Sequence, residues 1–220
     1  LQVELLRQVR AIPGVKKVFI ASGIRHDLIM ADRSAYLEDL CQHHVSGHLK
    51  IAPEHISRRV TECMHKPPRA ALDAFRERFG AASRAAGKEQ YLLPYLMSGH
   101  PGCSIADMVE LAEYLRDNHM YTEQVQDFTP TPMTVSTAMY YTGLDPFTLQ
   151  PVHVPKGEEK RIQRAMLQYR DPRNFNLVRE GLKRSGRLEL VGEGKDCLIP
   201  SRYGGAKDAK RRGKKAGGGK

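Results

Sequence analysis

Cysteine is sparse and scattered in this 220-residue sequence: Cys41, Cys63, Cys103 and Cys197, no two of them close together. That spacing excludes a disulfide framework and a CxxC metal site, and it predicts reduced thiols in the cytoplasm. Cys41 and Cys63 fall on apolar helix faces, which predicts core positions. No apolar run approaches the roughly 20 residues needed to span a bilayer, so no membrane partner is expected. The first residues do not read as a secretory leader, and none is expected in this stretch. The first residue is Leu1 rather than Met, and a helix-like run follows at once, which predicts that the natural N-terminus lies upstream. There is also no GxSxG, no HExxH and no coherent Ser/His/Asp set, so a complete hydrolase is the weakest of the enzyme classes.

A hydrophobic content of 40% and a charged content of 27% describe a soluble globular protein with one sizeable core, or one core and an appendage. The net charge of +10 is uneven. Residues 202–220 hold eight Lys or Arg against one Asp, a net of +7 that leaves only +3 for the body. The basic excess thus belongs to a Gly- and Lys-rich tail without apolar periodicity, which is expected to be disordered. Its two readings are a weak contact with RNA and plain solubilisation.

The stretch His48–Pro67, HLKIAPEHISRRVTECMHKP, sets the pattern for the rest. Leu49 to Ala52 reads as a strand broken at Pro53, with Glu54 and His55 at the break. Ser57 then caps a helix carrying Val60, Cys63 and Met64. Strand, polar turn, helix is the unit of a parallel α/β protein, whose ligands sit beyond the carboxyl ends of the strands. Before it come a helix over residues 1–12 and a strand over Val15–Ala21 (VKKVFIA). The turn Ser22–Asp27 follows, then a helix capped by Asp32 with Leu37, Leu40 and Cys41 inward. After it come a helix with Leu72, Phe75 and Phe79, ended by Gly87, and a strand over Gln90–Met97. Pro94 in that strand predicts a bulge or bend. Ser104 and Asp107 predict a capping box for a helix with Met108, Leu111 and Leu115 inward. A fourth strand lies near Glu123–Phe128. Four such units, spaced by roughly 30 to 40 residues, predict a barrel or an open parallel sheet. From 144 to 200 the pattern turns helical, with helices over 158–168 and from Asp171-Pro172 onward.

Every strand end delivers polar groups: Ser22, Arg25 and Asp27; Glu54 and His55; Ser98 and His100; Gln126, Asp127 and Thr129. Turns are polar in any protein, so each residue alone says little, and the joint enrichment at one topological end says more. The histidines His43, His44, His48 and His65 fit no standard zinc spacing. Gly192–Lys195 lacks the strand–helix context and the Ser/Thr of a phosphate loop.

Taken in order, these turns resemble the later half of a radical S-adenosylmethionine (SAM) enzyme core, most closely that of the YgiQ-type radical SAM family, whose substrate is uncharacterised. The segments that carry the resemblance are FIASGIRHDL, HLKIAPEHISRRVTECMHKP, YLLPYLMSGHPGCSIADMVELA, VQDFTPTPMTVSTAMYYTGLDP, YRDPRNFNLVREGLKRSGR and CLIP, nearly the whole of residues 1–200. ISRRV looks like the segment after the fourth barrel strand of methylthiotransferase-like members, with Arg59 at the family arginine. SGHPG and FTPTPMT look like the turns after the fifth and sixth strands.

The resemblance implies an incomplete (β/α)6 barrel over 1–143, a helical extension over 144–200 and the basic tail over 201–220. It implies two cofactors, SAM and a [4Fe–4S] cluster, an electron donor, and a 5′-deoxyadenosyl radical that takes hydrogen from an unknown substrate. The cluster's CxxxCxxC loop does not occur in this sequence and would lie before Leu1, so this stretch alone is expected neither to assemble the cluster nor to turn over. The positions that match imply SAM contacts from Ser22, Glu54, Arg59, Ser98 and Phe128. Arg25, His55, His100 and Asp127 would face substrate. A solvated helix arginine is the ordinary alternative for Arg59, and a noncatalytic α/β module that binds RNA through its tail is the alternative for the whole. Val15–Ala21 would be left as an open edge, which predicts a marginal, aggregation-prone chain.

Overall fold

Two strips of helix lead the chain to its sheet. The first is α1 (Gln2–Ala11), whose Val3 and Leu6 rest half-buried against the core. The second comprises α2 (His26–Ala31) and α3 (Tyr36–Asp39), which runs on into a π-helical turn over Leu40–His44. The structure is a computed structural model that describes residues 2–32, 34–120 and 125–202. Three parallel strands follow in sequential order: β1 (His48–Glu54), β2 (Tyr91–Ser98) and β3 (Val125–Asp127). Parallel neighbours need a long crossover. The chain supplies α4 (Arg58–Cys63) and α5 (Arg69–Ala85) for the first and α6 (Ile105–Asp117) for the second. The expected α/β class is therefore what forms. After β3 come α7 (Val135–Thr142), α8 (Gly157–Leu167) and α9 (Phe175–Arg184). One continuous core takes Leu37, Leu40 and Cys41 from the first strip and Leu49, Ile51 and Leu96 from the sheet. Phe75, Met108 and Leu111 join it from the crossovers, and Ile162, Met166, Val178 and Leu182 from the last helices.

Several local expectations are corrected. Val15–Ala21 is not a strand: within it Ile20 donates to the carbonyl of His44 at 3.1 Å, and Val18 accepts from the His44 ring at 2.8 Å. One histidine thus takes up groups that a ladder would use. Pairing with β1 begins only at Ile24, which forms a parallel bridge with Ile51. Asp32 ends α2 and accepts from Ser34 instead of capping α3, which follows Ala35. Ser57 precedes α4, but its hydroxyl donates to Asp107 at 2.6 Å and caps nothing. β1 runs through Pro53 to Glu54, and the irregularity expected around Pro94 lies in β1. Three steps from Ile51 to Glu54 oppose two from Pro94 to Leu96.

The capping box of Ser104 and Asp107 forms as read. Cys41 and Cys103 are buried, Cys63 and Cys197 half-buried, and all four are free thiols. Residues 123 and 124 of the expected fourth strand, and 203–220 of the tail, lie outside the described residues. Among the described residues no helix is long and apolar enough to cross a membrane.

Candidate functional site

Parallel register brings the strand ends to one edge of the sheet. Glu54 sits level with Leu96, and Ser98 with Asp127. The Ile24 bridge holds the Ser22–Arg25 turn beside β1, and a Cβ on Gly23 would lie 2.9 Å from the Tyr95 ring of β2. Ser22 lines a cleft of about 430 Å3 together with Arg25, Leu28 and Tyr36. The Glu54 carboxylate favours the charged forms of both Arg25 and His100.

Each residue of this rim has its own setting. Arg25 forms a fork-like pair with Asp27, which raises its pKa. Glu54 has φ +64°, a left-handed conformation uncommon outside glycine, and pairs with Lys66 Nζ at 3.0 Å. Lys66 also donates to the carbonyl of Ala52. Ser98 is buried and donates to Asp127, which also pairs with Arg164. The amide of Phe128 donates to the Ser98 carbonyl at 2.8 Å, and its ring lies against His100 and Tyr140, with centroids 5.1 and 5.7 Å away.

Of the four residues read as facing substrate, Arg25 and Asp127 reach solvent, whereas His55 and His100 are 2% and 3% exposed and lie behind the rim. The His100 Nδ1–H donates to the Pro101 carbonyl, so Nε2 is the acceptor for the Ser136 hydroxyl. His55 Nδ1 accepts from the amide of Ser57, so Nε2 carries the proton and faces Cys103 Sγ at 3.7 Å. Burial drives the His55 pKa down to about 4 and the Cys103 thiol well up, so at neutral pH both are uncharged. The unfolded imidazole titrates near 6.5. The stability gained by keeping His55 neutral is therefore complete above that value and lost as the pH falls from 6.5 toward 4. A nitrogen-15 NMR titration is expected to show the Nε2–H tautomer of His55 intact at pH 5.5. Half-protonation at pH 6 or above would place the ring in contact with water.

Arg59, in the first turn of α4, is held to the start of α6. Its Nη2 donates to Ser104 Oγ at 2.7 Å and to Asp107, and its side chain is 56% exposed. Asp107 gathers Ser57, Arg59 and Ser104. Burial alone would raise its pKa, but the hydrogen bonds from Ser104, Ser57 and Arg59 outweigh burial and hold it at about 2.

Reading the sequence missed Lys66, His26 and the residues of α8 that reach the rim, because no short-range pattern marks them. His26 is buried against Phe75 with neither ring nitrogen hydrogen-bonded, and burial lowers its pKa. A larger cleft of about 840 Å3 opens at the other end of the strands, beside His48, Gln90 and Tyr91. Its guanidinium groups are engaged: Arg69 with Asp73, and Arg76 with Tyr114 and Asn118. Chemistry therefore favours the rim over the larger space. Among the described residues no group of three or more His, Cys, Asp or Glu side chains is placed to hold a metal ion.

Comparison with known proteins adds relatives to this geometry. A UPF0313 protein of Methanosarcina acetivorans is 58% identical over 198 residues, which is 90% of this chain and 26% of that protein. One from Clostridium perfringens is 50% identical over 218 residues, 98% of this chain and 33% of that protein. Another, from Clostridium botulinum, is 49% identical over 200 residues, 90% of this chain and 31% of that protein. The chain is similar to UPF0313 proteins. It spans between a quarter and a third of the length of these relatives. Residues 123–218 match a domain of unknown function, DUF3362, so β3 and α7 to α9 fall inside the matched part of this UPF0313-like chain.

Proposed function

We propose that this chain is the later part of a radical SAM enzyme, in which the carboxyl rim of the sheet holds SAM and the [4Fe–4S] cluster is held by cysteines elsewhere in the full-length protein. The observation that carries this reading is that Glu54, Ser98 and Asp127 stand together at the carboxyl end of a sequentially ordered parallel sheet, the end at which such proteins bind ligands, whereas Ser22 precedes the Ile24–Ile51 bridge and lines a cleft of its own. The turn sequences that resemble the YgiQ-type family support it. The rim suits the chemical parts of SAM. Glu54 offers a carboxylate to the amino group or ribose; a hydroxyl from Ser22 would have to reach across from its own cleft, and residues 98–100 with Phe128, which are buried, would back the border for adenine from behind. Arg59 would meet the SAM carboxylate with the edge of its guanidinium turned away from Asp107.

The described residues do not fit the cluster itself, so it is not assigned to them. When bound, the cluster supplies the electron that cleaves the sulfonium of SAM. Within this chain Lys66 orients Glu54, the Ser98–Asp127–Arg164 chain fixes the tips of β2 and β3, and His55, His100 and Phe128 keep water from the back of the rim. The unknown substrate would approach past Arg25 and Asp127, and an electron donor would serve the full-length protein.

The test uses that full-length protein, reconstituted with iron and sulfide without oxygen and reduced in the presence of SAM. Formation of 5′-deoxyadenosine and methionine is expected. Glu54→Ala and Arg59→Ala are each expected to raise the SAM dissociation constant about tenfold, the worth of one charge-assisted contact. A protein with a full complement of iron that forms no 5′-deoxyadenosine sinks the enzyme reading. Unchanged SAM affinity in both variants removes SAM from this rim.

A further inference from the structure

Helix α8 follows the sheet by some distance in the chain, yet it binds the rim directly. Gln163, on its inner face, is fully buried. Its Oε1 accepts from the amide of Gly99 at 2.9 Å, and its Nε2 donates to the carbonyl of Cys103 at 2.9 Å. One side-chain amide therefore spans the turn from Gly99 to Cys103, and the two bonds fix which way round it lies. Lys160, one turn earlier, donates to the carbonyl of Phe128 at 2.8 Å. Its methylenes cover Gly99 so closely that a Cβ there would sit 3.0 Å from Lys160 Cε. Arg164 pairs with Asp127. Just before α8, the carbonyl of His153 accepts from the amide of Gly102 at 2.6 Å. The turn itself has little latitude, since Gly99 and Gly102 both have positive φ, +74° and +89°.

We propose that α8, inside the part matched by DUF3362, is a clamp that sets the cofactor rim, with Gln163 and Lys160 as its positioning residues. The SAM part of this proposal rests on the reading of the rim given above; the clamp part rests on the contacts alone. Gln163 and Lys160 touch no substrate in this scheme. They act through the backbone of Gly99, Cys103 and Phe128, in the buried layer that backs the border assigned to adenine. This gives the matched segment a role in the site rather than one as a separate module.

The full-length protein carries the test. Gln163→Leu keeps a side chain of similar bulk and removes both bonds to the turn, along with a longer one to Glu159. It is expected to speed amide hydrogen exchange across residues 98–103 about tenfold or more, and to raise the KM for SAM roughly tenfold with little change in kcat. Val178→Ala, a core change in α9 that removes none of these hydrogen bonds, serves as the control for lost stability. Equal exchange at 98–103 in the two variants overturns the clamp. Faster exchange with an unchanged KM for SAM overturns its role at the cofactor. Should the wild-type protein bind no SAM, the reading of the rim fails, and hydrogen exchange alone then decides the clamp. Should Gln163→Leu fail to fold, Lys160→Met takes its place. It retains the methylenes over Gly99 but loses the bond to Phe128, and a rise of roughly threefold in the KM for SAM is expected, with no rise overturning the assignment.

Discussion

Gly102→Ala is expected to lower the stability of the protein by about 3–4 kcal/mol, the largest effect of any single methyl group added to it. Two costs combine. The residue has φ +89°, where an L side chain is strained by about 1–2 kcal/mol. The new Cβ would also stand 2.6 Å from Cys63 Sγ and 3.2 Å from Cys63 Cβ, so α4 or the turn must move. Gly143→Ala separates these costs, because Gly143 has φ +69° but nothing within 4 Å of its would-be Cβ. It should lose only about 1 kcal/mol. Urea unfolding of the two variants checks the difference, and equal losses would discard the packing argument. Adding Cys63→Ala to Gly102→Ala removes the closest atom and should restore part of the loss, which a double-mutant cycle would register.

Asp107→Ala comes next, at about 2–3 kcal/mol, because it leaves the buried Ser57 hydroxyl and the Ser104 hydroxyl without their shared acceptor, while the half-exposed Arg59 guanidinium returns to water. The carboxylate joins Ser57 and Arg59 at the start of α4 to Ser104 at the start of α6, so two crossovers on either side of β2 hang on one side chain. Its pKa also makes a statement about acid. Folding lowers it from 3.8 to about 2. The associated stability, about 2 kcal/mol, is fully present above pH 3.8 and disappears as the pH falls through 2. Asp107→Asn should therefore be less stable than the wild type at pH 7 but closer to it at pH 2.5. A constant gap across that range would show that the carboxylate's charge contributes nothing.

The helices were legible wherever apolar spacing and end signals agreed. Leu72, Phe75 and Phe79 in α5, and Met108, Leu111 and Leu115 in α6, face inward as their spacing requires, and Ser104 with Asp107 caps as written. Glu54, Ser98 and Asp127 were legible as strand ends too, since a parallel sheet gathers such ends whatever their order. VKKVFIA was misread because alternation describes any extended chain. Whether a ladder forms depends on its neighbours, and here His44, more than twenty residues on, takes their place. Ser57 has the residue type and backbone of a cap, but a buried carboxylate fifty residues away outcompetes the helix for its hydroxyl. Lys66 and Gln163 carry no local signal, for their partners are met only after the chain has folded back. Contacts of that kind lie beyond any reading of periodicity.

The reciprocal bonds between Gln163 and the SGHPG turn bear on how such proteins can be recombined. A chimaera of two relatives joined near Gly143 would set one parent's helix against the other parent's turn. Such a hybrid keeps its rim only if the glycines at 99 and 102, the amide at 163 and the amine at 160 are inherited as a set. A junction placed by composition alone would pass through the middle of that set.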